Sequence, residues 1–110
     1  MSALARSMTS GDGEGVRAGV RREVLLTIDS GGLLPGASTI LDGRVAAASA
    51  LLALVTPETS VTVASINGEP GVILTRDDAV VGVITAETRS GMLSSIWVVC
   101  NPEKLRHWNR

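Results

Sequence analysis

The stretch SVTVASINGEPGVILTRDDAVVGVITAETRSGMLSSIWVVC, residues 60–100, decides how this chain folds. It alternates apolar runs rich in valine and isoleucine with short polar connections, the pattern of strands joined by tight turns. Strands are expected over residues 60–66, 71–75, 80–88 and 92–100. Asn67-Gly68 is a strong hairpin signal, because both residue types tolerate positive φ. Arg76-Asp77-Asp78 and Arg89-Ser90-Gly91 are also of hairpin length. The second half of the chain therefore reads as an antiparallel meander.

Working back from it, residues 41–55 have the clearest helical periodicity, with Asp42 near the start. Val45, Ala48, Leu51, Leu52 and Val55 share one stripe, and Thr56-Pro57 stops the helix. Residues 33–40, with Pro35 and Gly36, read as a loop or an irregular edge strand. Residues 23–29 form a compact strand ended by Ser30-Gly31-Gly32. Over residues 3–22, Leu4, Met8, Val16 and Val20 fall at roughly helical spacing, interrupted by Gly11-Asp12-Gly13. Two short helices are expected there, the second capped by Ser10 or Asp12. This order gives an α+β class, with the long helix laid across a curved, mostly antiparallel sheet.

Size and composition set the bounds. A chain of 110 residues with 45% apolar content can bury one core as a single domain, residues 1–110, without disulfides or metals. A net charge of -1 provides no basic face, so direct promoter-DNA binding is not expected. One cysteine forms no internal disulfide, and the first residues lack the charged-then-apolar order of a secretion leader. A cytoplasmic setting is expected. The apolar stretch 45–55 is about half of a bilayer span, so no membrane insertion is expected. With no Phe, no Tyr and two Trp, aliphatic side chains must fill the core.

Few residues offer chemistry. Cys100 and His107 are too few for a metal site, so no metal and no cofactor are expected. A thiol ending an apolar strand is more often core filler than nucleophile. Ser30 lacks the preceding glycine of a nucleophile elbow, and Gly11-Asp12-Gly13-Glu14-Gly15 lacks the phosphate-loop lysine. Acid–base catalysis would rest on Asp29, whose burial would have to raise its pKa, with Asn67, a tryptophan or backbone amides stabilising an oxyanion. More commonly such an aspartate caps the following glycines.

The end of the chain, Asn101-Pro102-Glu103-Lys104-Leu105-Arg106-His107-Trp108, stops the strand pattern abruptly. Pro102 at a first helical position, after Asn101, predicts a short helix over residues 102–108. Leu105 and Trp108 would share one face, covering either the chain's own sheet or a partner.

Four stretches then carry a resemblance. Asn101-Pro102-Glu103-Lys104-Leu105 differs by one methylene from an Asn-Pro-Asp-Lys-Leu signature. Asp29-Ser30-Gly31-Gly32-Leu33 is similar to Asp-Gly-Gly-Gly-Lys, and Asn67-Gly68-Glu69-Pro70-Gly71 to an Asn-Gly-x-Pro-Gly turn. Ser10-Gly11-Asp12 is similar to a Gly-Asp that opens a second helix. Together they make the chain resemble the SnoaL-like domain fused to the C-terminus of certain extracytoplasmic-function sigma factors of actinobacteria and other bacteria. The resemblance implies a cone-shaped fold like that of nuclear transport factor 2 and ketosteroid isomerase. It implies a non-enzymatic domain that contacts the sigma core, and through it RNA polymerase, to tune transcription initiation. Asn101, Pro102, Glu103, Lys104 and Leu105 would form the contact, assisted by Asp29, Ser30, Gly31 and Gly32, while Asn67, Gly68, Pro70 and Gly71 make a structural turn. Leu33 replaces the signature lysine, Ser30 its first glycine, and Asp78 the glycine usual in a later hairpin. No promoter-reading helices precede Ala3, which fits an excised domain or a free-standing relative. A free-standing small-molecule binder or isomerase-like enzyme is the alternative reading. Apolar strands at 80–83 and 96–99 also predict self-association as a homodimer.

Overall fold

In the computed structural model, which describes residues 1–31 and 38–109, the meander forms as the turn chemistry dictates. The elements run α1 (Ser2–Ser10), α2 (Gly13–Ala18), β1 (Val20–Asp29), β2 (Ser38–Asp42), α3 (Arg44–Ala53), β3 (Ser60–Ile66), β4 (Glu69–Arg76), β5 (Ala79–Arg89), β6 (Met92–Val99) and α4 (Pro102–Leu105), closing on a 3-10 turn, Arg106–Asn109. All three hairpins turn on two residues with positive φ: Asn67-Gly68, Asp77-Asp78 and Ser90-Gly91. That arrangement matches the right-handed twist of the strands it joins. Asp78 takes the left-handed conformation at φ 62° without a glycine.

The six strands form one sheet in the order β2-β1-β6-β5-β4-β3. Every pairing is antiparallel except β1 with β6, which is parallel with Leu26 beside Ile96 and Asp29 beside Val99. Period-2 alternation sends Val24 and Leu26 of β1, Val72 and Leu74 of β4, Ile84 of β5, and Ile96 and Val98 of β6 to one face. Leu4 and Met8 of α1, Val16 of α2, and Ala47, Ala48 and Leu51 of α3 close over that face and complete the core. Burying a side chain such as Leu51 contributes roughly 1.5–3 kcal/mol. The result is a mixed α+β cone with its concave side filled by aliphatic residues. No helix among the described residues is long and apolar enough to cross a membrane.

Several expectations shift. The helix expected at 41–55 is shorter: Leu41 and Asp42 belong to β2, paired with Leu26 and Leu25 of β1. Gly43, at φ 96°, then turns the chain into α3. The buried residues of α3 are Ala47, Ala48 and Leu51, while Val45 in its first turn is 70% exposed. The first strand begins at Val20, because α2 stops at Ala18 and Val20 already pairs with Leu93. Residues 38–40 form an edge strand, while Gly32 and the rest of 32–37 lie outside the described residues. Of the two capping candidates, Asp12 accepts the Gly15 N–H at 3.0 Å. The terminal helix is a single α-turn followed by a 3-10 turn.

Candidate functional site

The residues that stood out in sequence meet at one end of the sheet. Asp29 is the last residue of β1, and its backbone carbonyl accepts the Cys100 N–H at 2.9 Å, extending the parallel ladder by one bond. Its Oδ1 accepts the Gly31 N–H at 3.1 Å, so the carboxylate organises its own turn. Gly31 sits at φ 67°, where a side chain is strained.

Beyond β6, Asn101 is the N-cap of α4: its Oδ1 accepts the Glu103 N–H at 3.0 Å, and Pro102 fills the first helical position. The same side chain reaches back, its Nδ2 donating weakly to Asp29 Oδ1 at 3.4 Å. One turn on, Lys104 Nζ donates to Asp29 Oδ2 at 2.5 Å. Residues 72 and 75 positions apart are thus held on one carboxylate. The fit is close: a Cβ on Gly31 would lie 2.3 Å from Asn101 Oδ1. Pro102, Glu103 and Gly31 face outward, and Glu103 pairs with Arg106 at 3.1 Å.

This arrangement works against the raised pKa expected of Asp29 as a general base. The Lys104 ammonium hydrogen-bonded to it holds the carboxyl below the usual aspartate range; burial opposes the effect, and the Gly31 N–H reinforces it. Burial pushes the Cys100 thiol up, with the Asp29 charge adding to it, the opposite of an activated nucleophile. Among the described residues no three His, Cys, Asp or Glu side chains cluster as a metal site.

Leu105 corrects a second expectation. It is 3% exposed, seated against Ile66 of β3 and Val83 of β5, with Ile73, Val80 and Val99 around them. These residues lie on the outer face of the sheet, opposite the helices, because Val83 pairs with both Ile73 and Val99 in one row. Leu105 therefore lids its own sheet and offers no apolar area to a partner. Ser30 is buried as well and is not a surface contact. Trp108 is 40% exposed, so the two residues expected on one face have different fates.

The Asn67-Gly68 turn is structural and contributes indirectly, since Ile66 before it forms part of the Leu105 seat. Gly71 permits that seat: a Cβ there would lie 2.3 Å from Ile66 Cδ1 and 2.8 Å from the Ile84 carbonyl. Pro70 lies in β4 opposite Ser65. The seat itself was missed in sequence, although the alternation of β5 and β6 places Val83 and Val99 away from the helix-covered face. Elsewhere on the outer face Leu25, Ile40 and Trp97 are 44%, 67% and 39% exposed, Trp97 lying in the strand 96–99 from which exposed apolar area was expected.

Comparison with solved structures agrees with this architecture. The extracytoplasmic-function sigma factor SigJ of Mycobacterium tuberculosis superposes with a TM-score of 0.69 at 23% identity, covering 96% of this chain. The chain spans 42% of that protein's length. An NTF2-like protein of unknown function from Mesorhizobium loti matches at TM-score 0.63 and 15% identity, covering 90% of this chain and 85% of that one. An LEH-like epoxide hydrolase of M. tuberculosis matches at 0.55 and 13%, covering 96% and 83%. The fold is that of the NTF2-like, SnoaL-like cones. No family model matches the chain, and no curated protein matches it in sequence.

Proposed function

We propose that this chain is a regulatory SnoaL-like domain of an extracytoplasmic-function sigma factor, which contacts the sigma core in the cytoplasm and tunes transcription initiation by RNA polymerase. It works by binding, not by turnover, and does not itself bind DNA. The observation that carries this reading is the joining of the two signature stretches on Asp29. Residues that resemble the contact motifs of such domains form one built surface, with its basic and acidic groups at the end of the sheet. Lys104 pairs with Asp29 and lowers its basicity, which favours the binding reading over a general base at this position.

With Leu105 and Ser30 turned inward, the contact falls to Gly31, Pro102, Glu103 and Lys104, and Asn101 aims them. The domain supplied in trans to a matching sigma core tests this through binding and promoter-dependent transcription. Glu103→Arg inverts the charge of the exposed turn and is expected to weaken binding at least tenfold with the circular dichroism spectrum kept. Unchanged binding and unchanged transcription would overturn the proposal.

A further inference from the structure

The start of β5 extends past the end of its neighbour. The β5–β6 pairing ends with Val83 facing Val99, and a bulge between Gly82 and Val80 turns the Val80 backbone away from β4, beyond the last paired residue of β6. On that side the chain has already turned into α4 at Pro102 and continues no strand. A strand end left this way presents a bare N–H and C=O, which is the template that another strand pairs with.

Here the last turn of the chain covers it by mimicry. Asn109 Oδ1 accepts the Val80 N–H at 2.6 Å, and Asn109 Nδ2 donates to the Val80 carbonyl at 3.0 Å. One carboxamide thus offers Val80 the same donor and acceptor that a paired strand's backbone would offer. Beside it runs a mostly apolar groove of about 410 Å3, lined by Val80, Val81, Cys100, Pro102 and Leu105, with Arg106 and Asn109 of the last turn forming part of its wall. The 3-10 turn Arg106–Asn109 buries none of its side chains. Leu105, by contrast, is fully seated one turn earlier.

We infer that the Val80 end of β5 is a strand-addition site for an extended peptide of a partner protein, with Asn109 as its intramolecular placeholder. The peptide's backbone takes over both bonds to Val80, and an apolar side chain enters the groove. Main-chain bonds supply affinity and the groove supplies selectivity, as in other cases of β-augmentation. The proposal goes beyond the sigma-contact reading and does not need it.

The test uses the full chain, Asn109→Ala, and a fluorescent peptide, acetyl-Thr-Val-Thr-Val-Thr-amide, with no sigma protein present. Removing the placeholder is expected to tighten peptide binding at least tenfold. It is also expected to speed hydrogen exchange of the Val80 amide at least tenfold, with protection restored by the peptide. A peptide N-methylated at alternate residues should not bind. Equal affinity for the two proteins, equal binding of the N-methylated peptide, or binding to neither protein would overturn the proposal. Dimerisation of Asn109→Ala in place of peptide binding would assign the site to a second copy and overturn it too. None of these results bears on the trans-binding assay, so the two readings fail separately.

Discussion

The outer face of the sheet has two halves built from the same materials and treated in opposite ways. At the β3-β4-β5 end, Ile66, Ile73 and Val83 lie under Leu105, and Ile66 and Val83 are each 6% exposed. Towards the β2-β1-β6 end, Ile40, Thr27 and Trp97 continue with Thr85 of β5 in one cross-strand row, in which Ile40 is 67% and Trp97 39% exposed. Strand alternation alone places apolar residues in both. What separates them is a tail fastened at Asp29, and the comparison shows how few contacts decide where such a segment lies.

The largest effect should come from unseating the lid. Leu105→Ala is expected to lower stability by about 2–4 kcal/mol in denaturant unfolding, the cost of a buried leucine truncated in a packed site. A change below about 1 kcal/mol would break the distinction between the halves, because it would make the covered end no more cohesive than the open one.

Two glycines sharpen the role of the fastening. Gly11 at φ 70° and Gly31 at φ 67° have the same backbone need, but a Cβ at Gly11 meets nothing within 4 Å. Ala at either position costs about 1–2 kcal/mol for the left-handed conformation. At Gly31 the added methyl also drives Asn101 off the Glu103 N–H and Asp29, adding a cap loss of about 0.5–2 kcal/mol. Equal losses for Gly11→Ala and Gly31→Ala in thermal unfolding would show that Asn101 does not fasten the tail.

On the open half, Ile40→Lys is expected to change stability by no more than about 0.5 kcal/mol, since Ile40 is already 67% exposed on an edge strand. The uncovered row should instead draw isolated chains together at high concentration, and the same substitution should abolish that association. A single monomeric species for the unaltered chain in sedimentation equilibrium would remove the association claim.

The smallest effect is electrostatic and is confined to acid. The folded-state pKa of Asp29 lies below the ordinary aspartate value, so its contribution is present above that ordinary value and is lost as pH falls through the folded pKa. Asp29→Asn should therefore be less stable than the native chain at about pH 6, and the gap should close towards about pH 2. A gap that persists unchanged in acid would mean that the Lys104 ion pair plays no part in holding the tail.

Local chemistry made much of this molecule legible. The Asn67-Gly68 turn, the run 60–66, and Asn101 with Pro102 as a helix start all depend on neighbours in sequence, and each was readable there. Leu41 and Asp42 were misread because an apolar residue before an alanine-rich run fits a helix as well as a strand. Only pairing with Leu26 and Leu25 of β1 decides it. The aliphatic pattern of residues 60–100 and the absence of Phe and Tyr determined by themselves an α+β domain with an aliphatic core. That Asp29 would meet Lys104, and that Leu105 would face inward, was decided by tertiary structure alone. A period-2 pattern says which residues share a face, but not what lies over that face. That depends on the parallel β1–β6 register, which brings residues 29 and 99 side by side across most of the chain.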